Sequence, residues 1–162
     1  MNIRPATADD LPLMADLWQE RRVILSQIDP RFVLSANERE AWLSEAQNAL
    51  TSPSARLYVA YEGSACIGYI RGTKQEQAGI VEEMALDAHR YHGGLGRELV
   101  RHISAWMKEQ GAENLTVSVP RRMAVEQAFW RSLGAQENAQ EWTENAWTKT
   151  PRHLWIMMVL KL

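Results

Sequence analysis

The stretch from Ile80 to Gln110 constrains the fold more than any other part of the chain. A short apolar run, Ile80 to Asp87, passes through Ala88-His89-Arg90-Tyr91-His92 into Gly93-Gly94-Leu95-Gly96, which opens straight into an amphipathic segment. Leu95, Leu99, Ile103 and Trp106 recur on one helical face, which predicts a helix over Gly94 to Gln110, stopped by Gly111. Glycines at a strand-to-helix turn let an anion come close to the unpaired N–H groups of the first helical turn. Those amides and the helix dipole together suit a pyrophosphate. No Lys-Ser or Lys-Thr follows to meet an outer phosphate or Mg²⁺, which argues against a P-loop, and the GxGxxG spacing of a dinucleotide site is missing.

The rest of the chain reads as alternating helices and strands. Asn2 to Ala6 suits a first strand, and Thr7 stands three residues ahead of the Asp10 carboxylate as an N-cap. Met14, Leu17, Trp18, Arg21, Leu25 and Ile28 predict a helix over Asp9 to Ile28, broken by Asp29-Pro30. Ser35-Ala36-Asn37-Glu38 reads as a capping box opening a second helix with Trp42, Ala46 and Leu50 inside, ended by Thr51-Ser52-Pro53-Ser54. The period then switches to 2: Leu57, Val59 and Tyr61 predict a strand, Glu62-Gly63-Ser64 a turn, and Cys66 to Arg71 the returning arm. Gly72 to Gly79 is read as a polar loop. After Gly111 come a strand with Leu115, Val117 and Val119, closed by Pro120, and a short helix from Val125 to Leu133, ended by Gly134. Gln136 to Arg152 is polar and gives a strand and loop at most, and Leu154 to Leu160 is a buried terminal strand.

The order β-α-α-β-β-β-α-β-α-β-β defines an α/β class with a mixed sheet. It is also the element order of the GCN5-related N-acetyltransferases (GNAT), and the resemblance covers nearly the whole chain. His92-Gly93-Gly94-Leu95-Gly96 resembles the end of that family's Gln/Arg-x-x-Gly-x-Gly/Ala loop, with Tyr91 standing where Gln or Arg is usual and Arg90 one residue early. Val81-Glu82-Glu83-Met84-Ala85-Leu86-Asp87 resembles its fourth strand, and Ala128-Phe129-Trp130-Arg131-Ser132-Leu133-Gly134 its Phe-Tyr-x-x-x-Gly helix. The resemblance implies one GNAT domain over 1–162 that uses acetyl-CoA as co-substrate, without a metal. The implied acceptor is a primary amine of a small molecule or peptide, attacked directly in a ternary complex. Backbone amides of 91–97 (Tyr91, His92, Gly93, Gly94, Leu95, Gly96, Arg97) would hold the pyrophosphate, and Met84, Ala85 and Leu86 the pantetheine arm, with an N–H near Leu86 facing the thioester carbonyl.

Acyl transfer to an amine also needs a proton acceptor. Glu82 and Glu83 are the candidates; consecutive strand residues face opposite sides, so only one reaches the cleft unless the strand carries a bulge. Glu82 shares parity with Met84 and Leu86 and matches the Glu of many small family members, so it is preferred as base or amine holder, with Glu83 read as a solvated edge charge. Trp130 departs from the family: the Tyr that protonates the leaving sulfur belongs there, and an indole N–H has no acid chemistry near neutral pH. Met123 replaces a usual pantetheine-binding Asn. Either a thiolate of pKa about 8.5 leaves unaided, with Trp130 packed on the cofactor arm, or the domain is a non-catalytic acyl-CoA binder. A displaced acid from Tyr58, Tyr61 or Tyr69 has no support in the sequence.

Composition bounds the rest. The 162 residues, 46% hydrophobic and 23% charged, are ordinary for a globular chain. A net charge of −2 gives no field for nucleic acid, and no apolar window reaches a membrane span. Met1 to Pro5 shows no signal-peptide pattern, and the single cysteine, Cys66, is read as a structural thiol; both favour a cytoplasmic protein. His89 and His92 lack further metal ligands. Arg121-Arg122 either meet the nucleotide phosphate or solvate a loop; Trp142 and Trp147 line the acceptor cleft or a homodimer contact.

Overall fold

In the computed structural model, which describes residues 1–90, 93–138 and 154–162, the elements follow the expected order. Strand β1 (Asn2–Pro5) leads through a 3-10 turn (Ala8–Asp10) into helices α1 (Leu11–Ile28) and α2 (Glu38–Thr51). Strands β2 (Ala55–Glu62), β3 (Ala65–Gln75) and β4 (Ala78–Leu86) follow, then α3 (Leu95–Glu109), β5 (Asn114–Pro120), α4 (Ala124–Ser132), β6 (Gln136–Glu137) and β7 (Trp155–Lys161). The described strands form one mixed sheet in the order β1-β2-β3-β4-β5-β7-β6, with β4 and β5 its parallel pair.

A helical layer covers each face. On one side Leu95, Leu99, Ile103 and Met107 of α3 are fully buried against Ile70, Val81 and Leu115 of the sheet. Burying each of these side chains stabilises the fold by about 1.5–3 kcal/mol. On the other side Met14 and Leu17 of α1 and Trp42 and Ala46 of α2 pack on Leu57, Val59, Tyr69 and Ala85.

Three local expectations need correction. Gly72 to Gly79 is not a loop: β3 and β4 continue through it, Gln75 pairs with Ala78, and Glu76-Gln77 make a tight turn with Glu76 at φ +50°. Gly72 is there because α3 lies on the strand: a Cβ would sit 2.6 Å from Met107 Cε and 2.8 Å from Ile103 Cγ1. The Ser35 capping box does not form. Asn37 precedes α2, and Glu38 instead takes Arg22 Nη2 at 2.9 Å. The first helix begins with the 3-10 turn, whose Asp10 carboxylate accepts the Thr7 N–H at 2.8 Å, and Pro12 occupies its opening turn. It stops at Asp29 as expected, the Asp29 N–H closing on Leu25 O at 2.9 Å.

Candidate active site

The site begins with one extra residue in β4. Arg71 of β3 stands opposite Glu83 and Gly72 opposite Val81, so Glu82 has no partner and the strand bulges. The bulge reverses the facing of everything after it. Val81 packs in the α3-side core, yet Ala85, of the same parity, packs under α1 and α2. Glu82 and Glu83 therefore reach the same wall, and the choice between them imposed by strict alternation does not arise. Glu83 is not a solvated edge charge: its side chain is 11% exposed.

Both carboxylates line a cavity of about 520 Å³ between α1, α2 and the sheet. Arg71, itself buried, reaches Glu82 Oε2 at 3.0 Å and Glu83 Oε1 at 3.3 Å through its Nε, and Glu45 Oε2 at 3.6 Å through Nη2. The Trp42 indole donates to Glu83 Oε1 at 2.6 Å, and Trp18 stacks on Trp42 with ring centres 6.0 Å apart. Burial pushes the Glu83 carboxyl above its ordinary range, against the pull of Arg71 and the Trp42 hydrogen bond. The Tyr69 hydroxyl, fully buried beside this carboxylate, has no hydrogen bond of good geometry, and burial holds its phenol well above its usual pKa.

The bulge also opens the sheet. Ala78 to Val81 pair with Asn114 to Val117 of β5, and the pairing stops there. Beyond it β4 keeps β3 on one edge and, among the described residues, has no strand on the other. Asp87 donates its N–H to Ile67 O at 3.0 Å, so strand alternation turns the amides of Met84 and Leu86 toward the open edge. This edge leads to the start of α3. Glu98 makes the first helical bond, to Gly94 O at 3.0 Å, so the N–H groups of Leu95, Gly96 and Arg97 precede the helical ladder. Gly94 adopts φ +83°, the left-handed conformation that glycine alone takes without strain. Gly96 lets Phe129 of α4 close in: a Cβ there would meet the ring at 3.1 Å. Gly93 and Arg97 are exposed; Tyr91 and His92 lie outside the described residues.

The profile of the acetyltransferase (GNAT) family matches residues 14–135. The chain belongs to the GNAT family. No curated protein matches it, but solved structures do. A PaiA N-acetyltransferase from Thermoplasma acidophilum, in complex with coenzyme A, is 18% identical with a TM-score of 0.77, over 99% of this chain and 98% of its own. An acetyltransferase from Streptococcus agalactiae gives 13% identity and a TM-score of 0.79 over the same shares. An aminoglycoside 6'-N-acetyltransferase from Acinetobacter haemolyticus gives 20% and 0.69, over 85% of this chain and 92% of its own. At these identities the likeness is one of GNAT fold.

Within that fold the remaining sequence candidates fall as follows. Trp130 is 2% exposed in the α3-side core, edge-on to Phe129 at 5.4 Å. Met123 caps α4 and, like Trp155, packs against the cluster of Leu25, Phe32 and Leu154. Of the tyrosines weighed as acids, Tyr61 donates to Asp10 at 2.9 Å and Tyr58 lies against His102, leaving Tyr69 beside the cavity carboxylates. Arg90 pairs with Asp87 at 3.3 Å, Arg121 reaches Trp155 O and Arg122 lies 3.6 Å from Asp29. His89 meets Glu20 at 2.7 Å, and no three metal-ligand side chains cluster among the described residues. Burial pushes the Cys66 thiol up to about 11, as suits a structural group. Trp142 and Trp147 lie outside the described residues. None of the described helices is long and apolar enough to cross a membrane.

Sequence reasoning missed Arg71. Its signal was a charged residue at the parity of buried Tyr69, two positions on, directly after the apolar run Cys66 to Ile70.

Proposed function

We propose that this chain is an N-acetyltransferase that moves an acetyl group from acetyl-CoA to a primary amine by direct attack in a ternary complex. The observation that carries this reading is the bulge at Glu82, which opens a strand edge and turns two carboxylates into one cavity beside it. The pyrophosphate lies on the amides opening α3, and the pantetheine arm pairs with β4 along Met84, Ala85 and Leu86 as an added strand. Trp130 backs that arm from within the core. The amine nitrogen attacks the thioester carbonyl carbon and the C–N bond forms. Its proton passes to Glu82, directly or through water, while Glu83, fixed by Trp42 and Arg71, supplies a second negative charge for the ammonium. The N–H of Leu86 receives the oxyanion. The C–S bond then breaks, and the electron pair leaves on sulfur as a thiolate needing no acid near its pKa of about 8.5.

The second reading, a domain that binds acyl-CoA without turnover, is motivated by Trp130, an indole in place of the family's acid. Acetyl-CoA turnover over a panel of amines separates the two. Under the first reading some amine is acetylated, and Glu82→Gln lowers kcat/KM by about 10²-fold or more at unchanged CoA affinity. CoA binding without acetylation of any amine selects the second.

A further inference from the structure

The cavity's charge and walls speak to the acceptor, and the inference from them rests on the transfer reading above. Three guanidiniums stand in its wall, and each already has a carboxylate partner. Arg22 holds Glu38 with Nη2 at 2.9 Å and Nε at 3.4 Å. Arg21 meets both Glu126 oxygens at 3.0 Å, tying α1 to α4. Arg71 is shared by Glu82, Glu83 and Glu45. Among the described residues no lining cation is left to receive a substrate carboxylate or phosphate, whereas five carboxylates, counting Glu126 outside the lining, face the three guanidiniums, an excess of two. The excess falls around Arg71, where one buried cation faces Glu82 and Glu83 inside and Glu45 at the rim, 68% exposed. Tyr69, buried beside Glu83 without a well-formed hydrogen bond, does not offset that charge. Trp18, stacked on the buried Trp42, lines the same cavity and offers an aromatic face to a cation.

We infer that the acceptor is a dication, a short diamine or guanidino-amine. Its reacting nitrogen sits at Glu82 and Glu83, and its second positive charge between the Trp18–Trp42 wall and Glu45. The distal charge stays protonated while the reacting amine gives up its proton, so one excess carboxylate serves catalysis and the other recognition. Zwitterions and neutral-tailed amines bring nothing for Glu45, and an acidic tail meets repulsion.

Three probes of matched length test this with acetyl-CoA: 1,5-diaminopentane, n-pentylamine and 6-aminohexanoate. The expected kcat/KM is highest for the diamine, by about tenfold or more over pentylamine, and lowest for 6-aminohexanoate. Glu45→Gln should reduce the diamine-to-pentylamine ratio several-fold, chiefly through KM. A ratio unmoved by Glu45→Gln, or 6-aminohexanoate matching the diamine, overturns the inference and leaves the transfer reading intact. Should none of the three turn over, calorimetric titration of each into the CoA-saturated protein still decides. Tighter diamine binding upholds the cation site; equal binding, or none, overturns it, and the wider panel of amines decides the transfer reading separately.

Discussion

Glu83 sits where a carboxylate is least comfortable, and that discomfort has consequences for stability. Burial raises its pKa above 4.5, so the folded chain keeps the proton to higher pH than the unfolded chain does. Stability therefore falls as pH rises from 4.5 through the raised value, and the loss is complete above it. Above the raised value Glu83→Gln should raise Tm, because Gln still accepts from Trp42 without the buried charge. The same variant should lower kcat/KM by about tenfold or more, through the lost attraction for the ammonium. Calorimetric melts at several pH values read the first effect and steady-state kinetics the second. A variant less stable than the parent above that value and equally active would contradict both the strain and the role.

Single elements position the proposed cofactor. The opening of α3 presents three amides beyond the helical ladder, on a backbone that Gly94 bends through φ +83°. Gly94→Glu forces a side chain into left-handed geometry, costing about 1–2 kcal/mol, and sets a carboxylate against the pyrophosphate. The Kd for CoA should rise about 100-fold or more by calorimetry; an unchanged Kd would sink the assignment. Gly72 tests the packing of that same helix from below. Gly72→Ala drives a methyl into Ile103 and Met107 and should lower stability by about 1–3 kcal/mol in urea unfolding. An m-value preserved within error would show that α3 adjusts without loosening the sheet.

At the scale of the molecule, two buried aspartates tie together parts far apart in sequence. Asp10 takes both Arg4 nitrogens at 2.8 Å and the Tyr61 hydroxyl at 2.9 Å, joining β1, the first turn and β2. Asp29, at the end of α1, takes Arg31 Nη2 at 2.7 Å with Arg122 from the α4 side 3.6 Å away. The Arg4 hydrogen bonds hold Asp10 well below the usual carboxylate range, and Arg31 holds Asp29 at about 2. Lowered pKa values mean stability that is complete above 3.8 and lost as pH falls through the folded values. Tm should drop steeply between pH 4 and about 2. Asp10→Asn should lose about 2 kcal/mol at neutral pH and show a shallower acid limb; an acid limb as steep as the parent's would place the proton uptake elsewhere.

The order of elements, the amphipathic face of α3 and the glycine turn before it were all legible in the chain. Local period, capping chemistry and glycine's lack of a Cβ act between near neighbours, and near neighbours are what a sequence displays. The strand from Gly72 to Gly79 was not legible, because its glycines answer to a helix that packs on them from some thirty residues away. Nor was the common wall of Glu82 and Glu83. Strict alternation separates adjacent side chains, and only the pairing of β4 with β3, one residue longer on one side than the other, brings them together around Arg71. A bulge is a property of two strands at once, so it belongs to the tertiary structure.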